Sequence, residues 1–163
     1  MPLPGGAVLR RARGGDEDGI LDCIRRLAEY EKEPDAVRTT AGDLRQALFG
    51  AAPSVFAHVV EKDGQIVAIA LWFLNYSTWT GRNGIYLEDL FVRASERRLG
   101  YGKALLKALA EVCVERGYRR FEWSVLDWNE PSIRFYRSIG AVGMDEWTIQ
   151  RLSGDALTRF AAR

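Results

Sequence analysis

Apolar and polar positions along this chain repeat with two periods, and the changes from one to the other mark out its elements. Ile20, Leu21, Ile24, Leu27 and Ala28 share one face of a 3.6-residue period, so a helix is predicted from a cap at Asp16 to about Tyr30, where a polar loop holding Pro34 ends it. Residues 40–48 read as a short second helix, with Gly50 as its stop and Pro53 beyond. Two β-rich runs, 55–61 and 66–76, flank Lys62-Asp63-Gly64-Gln65, and the Asp-Gly pair predicts a hairpin between them. Residues 7–12 and 85–93 read as further strands. Leu105, Leu106, Leu109, Ala110 and Cys113 predict a helix over 100–116 that stops at Gly117. Then come a strand over 120–126, a helix over 131–138 with Pro131 in its first turn and Gly140 as its stop, and a last strand over 146–152. Residues 157–160 read as part of a terminal helix. The order β-α-α-β-β-β-α-β-α-β is mixed α/β.

At 163 residues the chain suits a single domain spanning 1–163, with its core over about 7–152. Hydrophobic residues at 47% and charged ones at 28% describe a globule that folds on its own. The 23 Lys and Arg nearly balance the 22 Asp and Glu, so no overall basic field exists to bind nucleic acid. Two cysteines and one histidine cannot make a Cys/His structural zinc site, and no metal is expected. Cys23 and Cys113 fall on apolar helical faces, as small buried thiols do, and His58 lies in a strand-like apolar run. Residues 1–15 lack an apolar signal region, and the longest apolar run, 66–74, is about half a membrane span, so a cytoplasmic protein with no membrane partner is expected.

The most informative stretch is Leu87-Glu88-Asp89-Leu90-Phe91-Val92-Arg93, followed by Arg97-Arg98-Leu99-Gly100-Tyr101-Gly102-Lys103 and a helix. A strand that enters a glycine turn at a helix N-terminus suits a pyrophosphate, because main-chain N–H groups and the helix dipole face the anion. Arg97, Arg98 and Lys103 add local positive charge. Neither the P-loop pattern nor the dinucleotide pattern G-x-G-x-x-G is present.

Arg-x-x-Gly-x-Gly between strand and helix resembles the acyl-CoA loop of the GNAT superfamily of N-acetyltransferases. Asn129-Glu130-Pro131-Ser132-Ile133-Arg134-Phe135-Tyr136 resembles the segment that family places beside the CoA thioester. Within it, Leu27-Ala28-Glu29-Tyr30-Glu31 and Tyr86-Leu87-Glu88-Asp89 are similar to the spermidine/spermine and thialysine N-acetyltransferase subgroup. The resemblance implies the GNAT fold, a mostly antiparallel sheet split by a bulge and flanked by helices, and acetyl-CoA as cosubstrate. It implies main-chain pairing of Leu90 and Val92 with the pantetheine arm, and further CoA contacts from Phe91, residues 97–103, Asn129, Ser132 and Tyr136.

An alkylammonium with a pKa near ~10.4 reaches the enzyme protonated and must lose its proton before it can attack. The resemblance gives that task to Glu88, through a water, and makes Tyr136 the acid that protonates the departing thiolate. Adjacent strand residues point to opposite faces, so Glu88 and Asp89 share a cavity only if a bulge intervenes, and the family has one here. For the acceptor it implies Tyr30, Glu31, Trp79, Glu88, Asp89, Trp123, Ser124 and Glu146 around a small cationic amine: a diamine, a polyamine or a thialysine-like amino acid. Ser77-Thr78-Trp79 stands where polyamine enzymes carry Asp-Pro-Trp, so one anionic contact is missing. A homodimer is expected. Two other readings stay open: an acetyltransferase for protein lysines, and a catalytically silent acyl-CoA-binding module.

Overall fold

The Asp63-Gly64 pair forms the expected two-residue turn, both residues having positive φ (50° and 74°), and it joins β2 (Phe56–Lys62) to β3 (Gln65–Ser77). The structure is a computed structural model that describes residues 1–162. β1 (Val8–Arg11) and β4 (Arg82–Val92) complete an antiparallel set, and β5 (Phe121–Trp123) adds to β4 in parallel, giving a sheet in the order β1-β2-β3-β4-β5. β4 begins three residues before the predicted strand, and β5 keeps only residues 121–123 of the predicted 120–126.

Two helices cover one sheet face, α1 (Glu17–Tyr30) and α2 (Ala41–Phe49). Ile20, Leu21, Leu44 and Leu48 pack there against Val59, Ile69, Leu71 and Phe91, the inward positions of the strands. α2 starts at a capping box, with Thr40 and Asp43 each accepting from the other's backbone N–H. α3 (Tyr101–Glu115) packs over β3 and β4 on the opposite face, where Gly102 meets Val92, whose side chain alternates with Phe91. Leu105 and Leu109 are fully buried, each stabilising the fold by about 1.5–3 kcal/mol. As the crossover between parallel β4 and β5, α3 ties the open end of the sheet to its centre.

Chain contacts divide the protein into two compact units, Met1–Ser124, which holds the sheet with α1 to α3, and the residues from Val125 on. The second unit contains α4 (Glu130–Ser138) and α5 (Gly154–Ala161). Residues 146–152 do not form the predicted strand: Trp147 and Ile149 alternate as a strand would, but a strand exists only through a ladder, and no described strand pairs with them. Among the described residues no helix is long and apolar enough to cross a membrane.

Candidate active site

Leu71 pairs with Asp89 across β3 and β4, but its neighbour Trp72 pairs with Leu87. β4 therefore carries one residue more than β3 at this point. That residue is Glu88, and both Glu88 and Asp89 oppose Leu71, whose side chain lies on the α1 side of the sheet. The bulge thus turns two consecutive acids toward one face. Asp89 is half-buried, and burial, then the charges of Glu88 and Glu31, push its carboxyl up to about 6. Glu31, just past the end of α1, is itself raised by burial.

The bulge also marks where β5 leaves β4, since their pairing ends at Leu87 and Trp123. Arg93 donates its backbone N–H to Val67, so by alternation Leu90 and Val92 direct their main-chain groups to the edge that β5 has vacated. Arg97 follows, its Nε donating to the Val92 carbonyl at 3.3 Å and its guanidinium lying over the Tyr30 ring, 5.2 Å from the centroid. One arginine so joins the glycine loop to the end of α1. Gly100 caps α3, and the space above it is open, since a Cβ there would meet nothing within 4 Å. The first N–H groups of a 15-residue helix then face outward without an intrahelical acceptor. An open strand edge leading to a helix N-terminus fits an extended pantetheine arm that ends in a pyrophosphate.

The profile of the acetyltransferase (GNAT) family matches residues 21–141. The chain belongs to the GNAT acetyltransferase family. It is an N-acetyltransferase, and the family's acetyl donor is acetyl-CoA. The thialysine N-epsilon-acetyltransferase of Sus scrofa is 37% identical over 96% of this chain and 98% of its own length. The L-ornithine N5-acetyltransferase of Arabidopsis thaliana is 44% identical over a shorter stretch, 58% of this chain and 42% of the relative. Among solved structures, an integron cassette protein from the mobile metagenome of V. cholerae superposes with a TM-score of 0.81 at 23% identity, covering 96% of this chain and 98% of that one.

The GNAT elements sort the candidate residues. Phe91 directs its side chain into the α1 core and its main chain to Ile69 of β3, so against expectation it keeps no group for CoA, whereas Tyr101 is buried, its hydroxyl donating to the Pro4 carbonyl at 2.7 Å, and keeps only its main chain for a ligand. Leu99, Arg98 and Lys103 are exposed, and Arg98 adopts a left-handed φ of 69°. Trp79 stands at the tip of the β3–β4 hairpin, 82% exposed. Trp123 pairs with Leu87 and faces the α3 side, whereas Ser124 lies across the sheet from it, within 2.8 Å of the Tyr86 hydroxyl. In the second unit Asn129 precedes α4 and its carbonyl accepts from Ile133, while Ser132 and Tyr136 lie one turn apart on that helix. Glu146 is exposed in a turn.

Sequence reasoning passed over Asn75, Gly84, Arg120 and Glu122. Asn75 pairs with Gly84 and reaches across it to donate to Glu122 Oε2 at 2.9 Å. A Cβ on Gly84 would stand 2.5 Å from Asn75 Oδ1 and 2.8 Å from the Arg120 carbonyl, so only glycine permits that crossing. The signal available was the alternation of Phe121, Glu122, Trp123 and Ser124, which puts Glu122 on the face of Ser124.

Proposed function

We propose that this enzyme moves the acetyl group of acetyl-CoA to a primary amine of a small cationic acceptor, a diamine, polyamine or thialysine-like amino acid, by direct attack on the thioester. The observation that carries this reading is the bulge that turns Glu88 and Asp89 to one face beside Glu31. Three carboxylates there would attract a cation and receive its proton. Glu88 takes the ammonium proton through a water, and Asp89 with Glu31 holds the amine near it. The main chain of Leu90 and Val92 binds the pantetheine arm, and residues 97–103 with Asn129 and Ser132 hold the rest of the molecule. Acetyl-CoA supplies the activated acyl group. As the C–N bond forms and the C–S bond breaks, Tyr136 gives its proton to the thiolate and regains one from the nitrogen that becomes the amide, so the net proton released is the one that Glu88 passes to solvent. The seven-residue spacing of Asn129 and Tyr136, and the likeness to the family, support that last role.

Tyr30, Trp79 and Ser124 complete the proposed acceptor lining, with Glu146 as the family resemblance implies, while Trp123, on the α3 side of the sheet, is left out of it. Supporting the acceptor class, the similar pig enzyme is named for thialysine and the Arabidopsis one for L-ornithine, both amino acids with a second amine. The proposal includes a homodimer, for which the apolar residues exposed in the second unit speak, Val142 at 80%, Ile149 at 72% and Trp147 at 67%. The test is CoA release with diamines, polyamines, diamino acids and a lysine peptide, for the natural chain and Tyr136→Phe. Transfer to a small amine that falls at least ~100-fold in the variant supports the reading. Transfer to the peptide alone, or none despite acetyl-CoA binding, contradicts it.

A further inference from the structure

Register places three rows of residues on the α1 side of the sheet. Leu71 with Asp89 form the row at the bulge; Phe73, Tyr86 and Glu122 form the next; Asn75 and Gly84, with Arg120 beside them, form the third. Arg120 stands just before β5, its carbonyl accepting from Ile85 N–H and its Cβ beside Gly84, so it shares this face with Glu122, two residues on. Their charged groups approach to 4.0 Å and both side chains are 38% exposed, so each keeps capacity for a further partner. Asn75, crossing Gly84, fixes one oxygen of Glu122 and leaves the other toward Arg120. A carboxylate and a guanidinium side by side are the two partners a zwitterion requires: one accepts from an ammonium, and the other donates to a carboxylate.

The spacing suits a particular acceptor. One row along the strand and one strand across separate Asp89 from Glu122 by roughly 8 Å between Cα atoms. In an extended α,ω-diamino acid the terminal nitrogen lies about 5–6 Å from the α-carbon, by ordinary bond lengths. With the terminal amine at the bulge, the α-ammonium reaches Glu122 and the α-carboxylate extends on toward Arg120.

The geometry points to Glu122 and Arg120 as the residues that bind the α-ammonium and α-carboxylate of a diamino-acid acceptor whose terminal amine is acetylated at the bulge, an assignment that rests on the function proposed above. Glu122 binds any second ammonium, and Arg120 selects the amino acid over the diamine that lacks the carboxylate. Asn75 is a positioning residue that holds the Glu122 carboxylate in place.

The test compares kcat/KM for L-ornithine and butane-1,4-diamine, and for L-lysine and pentane-1,5-diamine, in the natural protein, Arg120→Gln, Arg120→Lys, Glu122→Gln and Asn75→Ala, with melting curves for each. Each amino acid is expected to exceed its diamine at least tenfold in the natural protein. Arg120→Gln brings that ratio near one and Arg120→Lys restores part of it. Glu122→Gln lowers kcat/KM for both members of a pair about tenfold, and Asn75→Ala raises KM more than it lowers kcat. A folding defect in Arg120→Gln would depress all four amines together and leave the ratio standing, and one in Glu122→Gln would show as a lowered melting temperature, which this inference does not expect. A ratio in Arg120→Gln within twofold of the natural value, or a natural preference for the diamines, overturns this inference while leaving the proposed amine acetylation intact. Failure to acetylate any of the four amines overturns both.

Discussion

Asp89 faces Leu71 across the sheet, and the residue before it, Glu88, has no partner of its own. A carboxyl is thereby placed over an apolar row and beside two other acids, which raises its affinity for a proton. A raised carboxyl is bound by a proton more tightly in the native than in the unfolded chain. Stability is lost as pH rises from the ordinary value of 3.8 to about 6, and the cost is constant above that. By about 1.4 kcal/mol per pK unit, Asp89→Asn should stabilise the protein by roughly 2–3 kcal/mol at pH 8 and hardly at all at pH 3.5. Urea unfolding at the two pH values measures this; an equal change at both would show that Asp89 titrates normally.

His58 gives the opposite slope. It is buried, accepts a hydrogen bond on Nδ1 from the Trp72 indole at 3.2 Å, and burial, with the nearby Arg11 charge, lowers it from 6.5 to about 4. Because the unfolded chain takes up the proton first, stability falls as pH drops from 6.5 to about 4, by about 3 kcal/mol in all. His58→Gln should flatten unfolding free energy across that window. A slope that survives the substitution assigns the effect to another group.

Arg98 holds a left-handed φ of 69° in the loop before α3. A side chain there costs about 1–2 kcal/mol, so Arg98→Gly should raise the melting temperature by roughly 2–4 °C, less what the added flexibility of the unfolded chain removes. The KM for acetyl-CoA, measured on the same variant, should rise severalfold if Arg98 contacts the pyrophosphate as proposed for residues 97–103. An unchanged KM would remove Arg98 from the CoA contacts.

Gly84→Ala should destabilise the first unit by about 1–3 kcal/mol, because its Cβ meets both Asn75 and the Arg120 carbonyl. Adding Asn75→Ala should recover only part of the loss, since the carbonyl contact is main chain. Chemical denaturation of the single and double variants gives the coupling. Full recovery would mean that the Asn75 contact alone matters.

The hairpin, α1, α2 and α3 were legible because each has its own punctuation: Asp63-Gly64 for the turn, Pro34 beyond α1, Gly50 after α2, Gly117 beyond the last turn of α3; Asp16 stands before α1 as expected, but its carboxylate pairs with Arg10 and does not cap the helix. The strand read over 146–152 was not, because alternation of Trp147 and Ile149 describes a face, and a face becomes a strand only when another strand accepts its hydrogen bonds. Glu88 and Asp89 could be picked out from their motif, but whether they share a face depends on a register shift that composition does not encode. The place of Glu122 likewise follows from the parallel register of β5, and its tie to Asn75 from a contact 47 residues away.

The most direct test of acetyl transfer at the bulge is kcat/KM for CoA release with a small amine from pH 5 to 9 in the natural enzyme, Glu88→Gln and Asp89→Asn. Glu88→Gln should lose at least ~100-fold at every pH, the scale of a positioned proton acceptor. The natural profile should carry a rising limb near pH 6 as Asp89 ionises, absent from Asp89→Asn. Variants that both keep activity within threefold, with profiles matching the natural one, would contradict a catalytic role for the two acids.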